Sequence, residues 1–310
     1  MPFVKEKFIV PGQMPAYLFV MRIFDVTQRE AQRMITKGRL LIDDKPVCKP
    51  GQKINGETEI IFFKPSPQNN CLLFQNSDFV IFEKPSGILV HPKNMSTPYC
   101  LLDEIRHFGG KDANAAHRID METSGLLLAS KNKKAETYLK SAFEEKTVKK
   151  SYLAWVDGKI TKPFSVTEAI KMNDDYSQTK HKVFIDPAGK SARTDFKPLY
   201  YDKKLDASLL ACYPLTGRTH QIRVHLFHVK HPILGDPFYG TTFDVGNAYL
   251  DQVLDKKERM VQMGAGRLML HAQSLYFKYN SDFYIESKID FQKMKNLICK
   301  KEERKFNRES

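Results

Sequence analysis

The chain has a single tryptophan and five cysteines in 310 residues. Cys48, Cys71, Cys100, Cys212 and Cys299 are odd in number, far apart, and none belongs to a C-x-x-C pair. That pattern excludes a disulfide framework and the usual zinc-site spacing, and it favours a reduced, cytoplasmic compartment. Long apolar runs are missing as well. No stretch approaches the roughly 20 apolar residues that a membrane-crossing helix requires. The first ten residues, with Lys5, Glu6 and Lys7, lack the apolar centre of a secretion signal, so no membrane partner is expected. Acidic residues are in short supply: 36 Asp and Glu face 49 Lys and Arg, a formal charge of +13. Such an excess favours a polyanionic partner, although a plain solvated basic surface would have the same composition. Hydrophobic residues, at 42%, suffice for a sizeable core.

A first boundary is visible at Lys64-Pro65-Ser66-Pro67-Gln68-Asn69-Asn70, where two prolines among polar neighbours read as a short linker. Before it, Gln28 to Lys37 has helical spacing of Ala31, Met34 and Ile35, and Gly38 stands where a helix would stop. Leu40–Ile42 and Lys45–Val47 flank the turn pair Asp43-Asp44, and Glu59–Phe63 reads as a further strand. After it, strands are expected at Phe79–Phe82, Ile88–Val90, Leu126–Ala129, Ser151–Val156, Thr194–Tyr201, Ala207–Tyr213 and Tyr276–Tyr279. Helices are expected at Leu101–Phe108 and Ala135–Glu145. Residues 241–262 read as a loop with a short helix, and 300–310 as a charged, frayed tail. Without regular β-α-β alternation, the class expected is α+β.

Four strings carry residues of chemical interest. His117-Arg118-Ile119-Asp120-Met121-Glu122-Thr123-Ser124-Gly125-Leu126 runs a polar loop into a buried strand, placing a carboxylate beside a guanidinium on a rigid edge. An isolated H-R-x-D would be read more simply as an ion pair capping a strand. Lys150-Ser151-Tyr152-Leu153-Ala154 opens a strand with a tyrosine that, alone, reads as core. Thr216-Gly217-Arg218-Thr219-His220-Gln221-Ile222-Arg223-Val224-His225, followed by His231-Pro232-Ile233-Leu234-Gly235-Asp236, reads as a turn and a helix start. Its Arg218, His220, Arg223 and His225 are donors suited to phosphate. No carboxylate or cysteine stands at ligand spacing beside the two histidines, so no metal is expected. Arg267-Leu268-Met269-Leu270-His271-Ala272 is an apolar strand between Arg and His.

In that order the strings resemble the motifs of the RluA family of RNA pseudouridine synthases: H-R-[LI]-D-x-x-T-S-G-L, K-x-Y-x-A, T-G-R-x-H-Q-[IL]-R-x-H, H-P-I-x-G-D and R-L-x-L-H-A. The likeness runs over about residues 70–290 and extends to Glu83-Lys84-Pro85-Ser86-Gly87-Ile88, with Glu83 where Asn is usual. Residues 17–64, with the Arg29–Ile35 helix and Lys37-Gly38-Arg39-Leu40-Leu41-Ile42, resemble an S4 RNA-binding domain.

The resemblance implies a pseudouridine synthase fold, α+β with a central, mostly antiparallel sheet at 71–299, joined through a linker at 65–70 to an S4-like unit at 1–64. It implies isomerisation of uridine in RNA, most commonly large-subunit ribosomal RNA, by a monomer without cofactor, and no DNA partner. Asp120 would be the nucleophile, Arg223 the cation that keeps it ionised, and Tyr152 the ring that stacks on uracil. His117, Arg118, Arg218, His220 and Leu270 would contact substrate, and Arg29, Arg33, Lys37 and Arg39 would contact RNA. Transfer RNA is the alternative substrate. A non-catalytic assembly factor would have no need to keep Asp120, Tyr152 and Arg223 together, and glycosidic hydrolysis would need a water-activating base that is not evident.

Overall fold

The computed structural model describes residues 2–68, 71–175, 177 and 179–305. They divide into two compact units, residues 2–68 with 92–104, and residues 71–91 with 105–305.

The first unit contains β1 (Phe3–Pro15), α1 (Ala16–Phe24), α2 (Gln28–Thr36), β2 (Leu40–Ile42), β3 (Lys45–Pro46) and β4 (Lys53–Phe63). Its sheet has the order β1-β4-β2-β3, antiparallel throughout. Helix α2 begins at a reciprocal capping box between Thr27 and Glu30. It stops at Gly38, whose φ of 67° suits glycine. Asp43 and Asp44, both at positive φ, form the tight turn between β2 and β3. Phe19, Val20, Ala31, Ile35, Leu40 and Ile60 make a closed apolar core. Strand β1 had no period-2 apolar signature because its charges are matched across β4: Lys5 to Glu59 at 2.6 Å and Lys7 to Glu57 at 2.7 Å.

The second unit is α+β, as expected. Its strands are β5 (Leu72–Gln75), β6 (Phe79–Lys84), β7 (Asn114–Ala115), β8 (Ser124–Ser130), β9 (Lys149–Asp157), β10 (Phe164–Val166), β11 (Ile170–Met172), β12 (Val183–Ile185), β13 (Thr194–Asp202), β14 (Ala207–Pro214), β15 (Leu270–Tyr279) and β16 (Ser281–Glu286). Helices α4 (Lys133–Glu144), α5 (Gln221–His228), α6 (Phe243–Leu250) and α7 (Lys256–Met263) belong to it, and α3 spans Leu101–Gly109. A ten-stranded sheet follows the order β10-β13-β14-β9-β15-β8-β6-β5, with β16 on β15 and β7 on β8. Every pair is antiparallel except β8 with β15, at the middle of the sheet. There Gly125, at φ 103°, presses on β15, and a Cβ would collide with the carbonyl of Ala272. One apolar cluster gathers Trp155, Leu210, Met269 and Leu270 with Ile222 and Leu226 of α5. Another packs Ala135, Leu139 and Ala142 of α4 on Phe79, Leu126 and Phe277.

Three expectations are corrected. Residues 88–90 are not a strand: after the turn at Gly87 (φ 86°) the carbonyl of Ile88 is taken by the Lys84 ammonium rather than by a neighbouring strand. Residues 241–262 hold two helices, each started by a side-chain cap, Thr242 for α6 and Asp255 for α7. The expected frayed tail is anchored as far as residue 305, because Arg304 is buried and pairs with the equally buried Asp157 at 2.8 Å. The rest of that tail, 306–310, lies outside the described residues. Among the described residues no helix is long and apolar enough to cross a membrane.

Candidate active site

Asp120 sits in the loop that enters β8, and neighbouring segments hold that loop by its backbone. The Lys84 side chain is fully buried. Its ammonium donates to the carbonyls of Pro85 (2.9 Å), Ile88 (2.8 Å) and Met121 (2.9 Å). Burial pushes its pKa down to about 7, while Asp120 and Glu122 work in the opposite direction. Ser86 Oγ donates to the carbonyl of Glu122 at 2.6 Å, and Gly87 N–H to that of Met121 at 2.9 Å. The carboxylate of Glu122 accepts from Tyr249 Oη of α6 at 2.7 Å and from Arg259 Nη2 of α7 at 2.6 Å. Ser124 Oγ, at the strand's first residue, accepts from Arg267 Nη2 at 2.6 Å and lies 2.8 Å from His271 Nδ1. The loop is therefore fixed before any substrate arrives.

Across from it, α5 presents Arg223, only 3% exposed. Its guanidinium makes a two-point contact with Asp236, Nε to Oδ2 at 2.7 Å and Nη2 to Oδ1 at 2.8 Å. The remaining Nη1 donates to Asp120 Oδ2 at 3.1 Å. Asp236 is fully buried and also accepts from the backbone N–H groups of Phe238 and Tyr239. Gly235 (φ 77°) makes the sharp turn that delivers it, since a Cβ there would run into the carbonyl of Arg267. The Tyr239 ring packs 5.2 Å from the guanidinium. Burial works against the charge on Arg223, but Asp236 and then Asp120 outweigh it and raise its pKa.

Asp120 keeps 27% of its side chain open. Burial tends to raise its pKa, and His220 (once protonated in acid), Arg223 and Lys182 more than reverse this, leaving it below the ordinary carboxylate range. His220 is itself pushed down to about 4, by burial and then by Arg223, so at neutral pH it is uncharged and Arg223 is the standing counter-ion. His220 caps α5 in a left-handed conformation (φ 52°), with Nδ1 3.1 Å from Tyr239 Oη and Nε2 3.8 Å from Asp120 Oδ2. Tyr239 Oη is set in turn by Val183 of β12, whose N–H donates to it at 3.3 Å. Tyr152 lies near enough for Asp120 to raise the pKa of its phenol, burial being the larger cause. It packs on the cluster that contains Leu270, which is 4% exposed.

Asp120, Arg223, His220 and Tyr152 thus converge, and Leu270 belongs to the apolar cluster on which Tyr152 packs. The other named residues stand differently. His117 Nε2 accepts the N–H of Leu128 at 3.1 Å and the ring stacks on Phe143, while burial lowers its pKa to about 3. Arg118 is exposed, and so is Arg218, whose Nε donates to the carbonyl of Ser191. Two of the four donors read as suited to phosphate are committed elsewhere, Arg223 as described and His225 to Thr194 Oγ1 and the Glu168 carbonyl. In the first unit Arg29, Arg33 and Lys37 are exposed, while Arg39 is half-buried with its guanidinium 4.9 Å from the Phe3 ring. Sequence reasoning gave no role to Asp236, Lys84 or Glu122. Asp236 and Lys84 belong to quoted motifs, so a signal existed; for Tyr249 and Arg259 there was none.

Comparison with known proteins bears on the family of the chain. A family model described as RNA pseudouridylate synthase matches residues 78–228. An uncharacterized RNA pseudouridine synthase of Helicobacter pylori is 40% identical over 285 residues, 92% of this chain and 93% of that protein. A ribosomal large subunit pseudouridine synthase C of Buchnera aphidicola is 33% identical over 261 residues, 79% of this chain and 74% of that one. Among solved structures, human RNA pseudouridylate synthase domain containing 1 shares the fold with a TM-score of 0.57 at 24% identity, over 73% of this chain and 86% of that one. With five ordered motifs, a carboxylate and guanidinium in contact at their centre, and relatives along almost its whole length, this chain belongs to the RNA pseudouridine synthases, isomerases that convert uridine to pseudouridine.

Proposed function

We propose that the enzyme modifies large-subunit ribosomal RNA, with Asp120 as nucleophile, Arg223 as its counter-ion and Tyr152 as the stacking ring. The observation that carries the catalytic assignment is the bridge Asp236–Arg223–Asp120. Asp236 binds the guanidinium by two points in the protein interior, and what remains of the fork points at the partly open carboxylate. Isomerisation breaks the N1–C1′ bond of uridine, turns the uracil and rejoins it through C5. N1 gains a proton and C5 loses one, so no redox partner is required. Asp120 bonds transiently to C1′ or C6, and it must be ionised to do so. Tyr152, whose phenol stays protonated at neutral pH, stacks on the uracil, and its oxygen relays the C5 proton at the end. Leu270 walls the pocket, and Arg118, Arg218 and His220 line the approach of the strand, whereas His117 is taken up by the Leu128 N–H and the Phe143 ring. The target base must leave its stack, at a cost of a few kcal/mol that loops and single strands reduce.

Residues 1–64 are read as an S4-like RNA-binding unit, residues 65–70 as the linker and 71–299 as the catalytic domain. Arg29, Arg33 and Lys37, four residues apart on and just after α2, offer one exposed basic edge, with Arg39 beside it. The ribosomal target is supported by the names of relatives such as synthase C of Buchnera aphidicola. The test is to map pseudouridine chemically in ribosomal and transfer RNA from cells without the gene, then after complementation with the wild-type gene or Asp120→Asn. Sites in large-subunit RNA should vanish, return with the wild type and stay absent with the variant. Loss confined to transfer RNA would move the substrate, and sites restored by the variant would remove Asp120 from its role.

A further inference from the structure

Lys150 opens β9 two residues before Tyr152, so both side chains leave the same face of the sheet, about 7 Å apart along the strand. It is half-buried, yet its ammonium has no hydrogen bond or ion pair with any described residue. Around it stand the Phe143 ring, with its centroid 5.9 Å from Nζ, and the Gly217 backbone, where a first side-chain carbon would lie 3.7 Å from Nζ. His117 stacks on the far partner, Phe143. Three other cations of this unit that are withdrawn from solvent are matched. Lys84 has three carbonyls, Arg259 has Glu122, and Arg304 has Asp157. For Lys150, burial depresses the pKa and nothing offsets it.

A half-buried charge without a counter-charge costs folding free energy, and a site that carries one is complete only with an anion. Gly217 contributes no side chain, so the turn between Thr216 and Arg218 leaves space beside the ammonium. Exposed Arg218 follows directly. We propose that Lys150 and the Gly217 turn seat a backbone phosphate of the RNA, one nucleotide's reach from the base that stacks on Tyr152. This deepens the functional reading above and rests on it for the place of the base, but not for the presence of an anion seat.

The test compares wild type with Lys150→Met and Lys150→Arg by thermal melting and by salt titration of binding to a short oligouridylate and to unmodified large-subunit RNA transcript. Lys150→Met should melt higher than wild type, because it removes an uncompensated charge. It should also bind the oligouridylate about tenfold more weakly, with the slope of log affinity against log salt reduced by about 0.7. Lys150→Arg should keep the slope. Unchanged affinity and slope in Lys150→Met overturn the proposal. So does a variant that melts lower or fails to fold, since the ammonium would then be supporting the structure. Oligouridylate binding that depends on Lys150, in an enzyme that modifies neither ribosomal nor transfer RNA, would sink the functional reading and leave the phosphate seat standing.

Discussion

Asp120 and Asp236 hold the same guanidinium, yet they are different kinds of carboxylate. Asp236 is sealed, bonded to Arg223 at two points and to two backbone N–H groups besides. Asp120 makes a single bond to it and keeps a quarter of its surface open. One ligand fixes the cation in place; the other draws on its field. A buried cation already neutralised by one acid can polarise a second without being pulled toward it, and so Asp120 would remain free to move into a bond if it is the nucleophile proposed above. On the proposed assignment, stability and chemistry fall to separate side chains around one charge.

That separation can be broken by substitution. The largest effect is expected from Asp120→Asn, with turnover on an RNA substrate falling by about 10⁴-fold or more while the melting temperature shifts little, since Asp236 still balances Arg223. Single-turnover assays and calorimetry on the same preparation check both halves. Asp236→Asn should do the reverse: the cation loses its interior partner, and unfolding in denaturant should show a loss of about 3–5 kcal/mol, with activity falling as a consequence. Equal destabilisation by the two variants would erase the distinction. Arg223→Lys keeps a charge but not the fork that spans two acids. Turnover should drop by about 10²–10³-fold, with less destabilisation than Asp236→Asn. The smallest effect is on the pH profile. The folded-state pKa of Asp120 lies below its unfolded value near 3.9, so its contribution to stability is full above that value and disappears as pH falls through the depressed one. The rate should accordingly show no acid limb assignable to Asp120 above about pH 5. A limb near 6 in wild type that Arg223→Lys leaves in place would mean that the guanidinium does not govern the nucleophile.

Much of this site was legible in the sequence, and what was not has a physical reason. Asp120, Tyr152 and Arg223 stand in local strings whose spacing survives any fold, and α2 announced itself by Gly38 and its apolar spacing. The role of Asp236 depends on a turn that only Gly235 can make against Arg267, 32 residues further on, and no local pattern encodes that approach. The same holds for Glu122, whose partners Tyr249 and Arg259 stand on helices with little apolar periodicity, in a stretch that read as a loop with one short helix. The segment 88–90 had strand-forming residues, and tertiary demand prevailed over propensity because a buried ammonium needed its carbonyl. His225 carried the same motif as Arg223 and looked equally available, but burial on α5 turned it inward to Thr194.

Strand β15 comes near the end of the sequence but lies between β9 and β8, with the loop of Asp120 on one side and Tyr152 on the other. Until residue 279 has been translated, the two halves of this sheet have no common seam, and each ends in an unsatisfied edge. A growing polypeptide therefore leaves the ribosome with the loop of Asp120 and the strand of Tyr152 on separate sheet halves, and translation of β15 is the event that can join them.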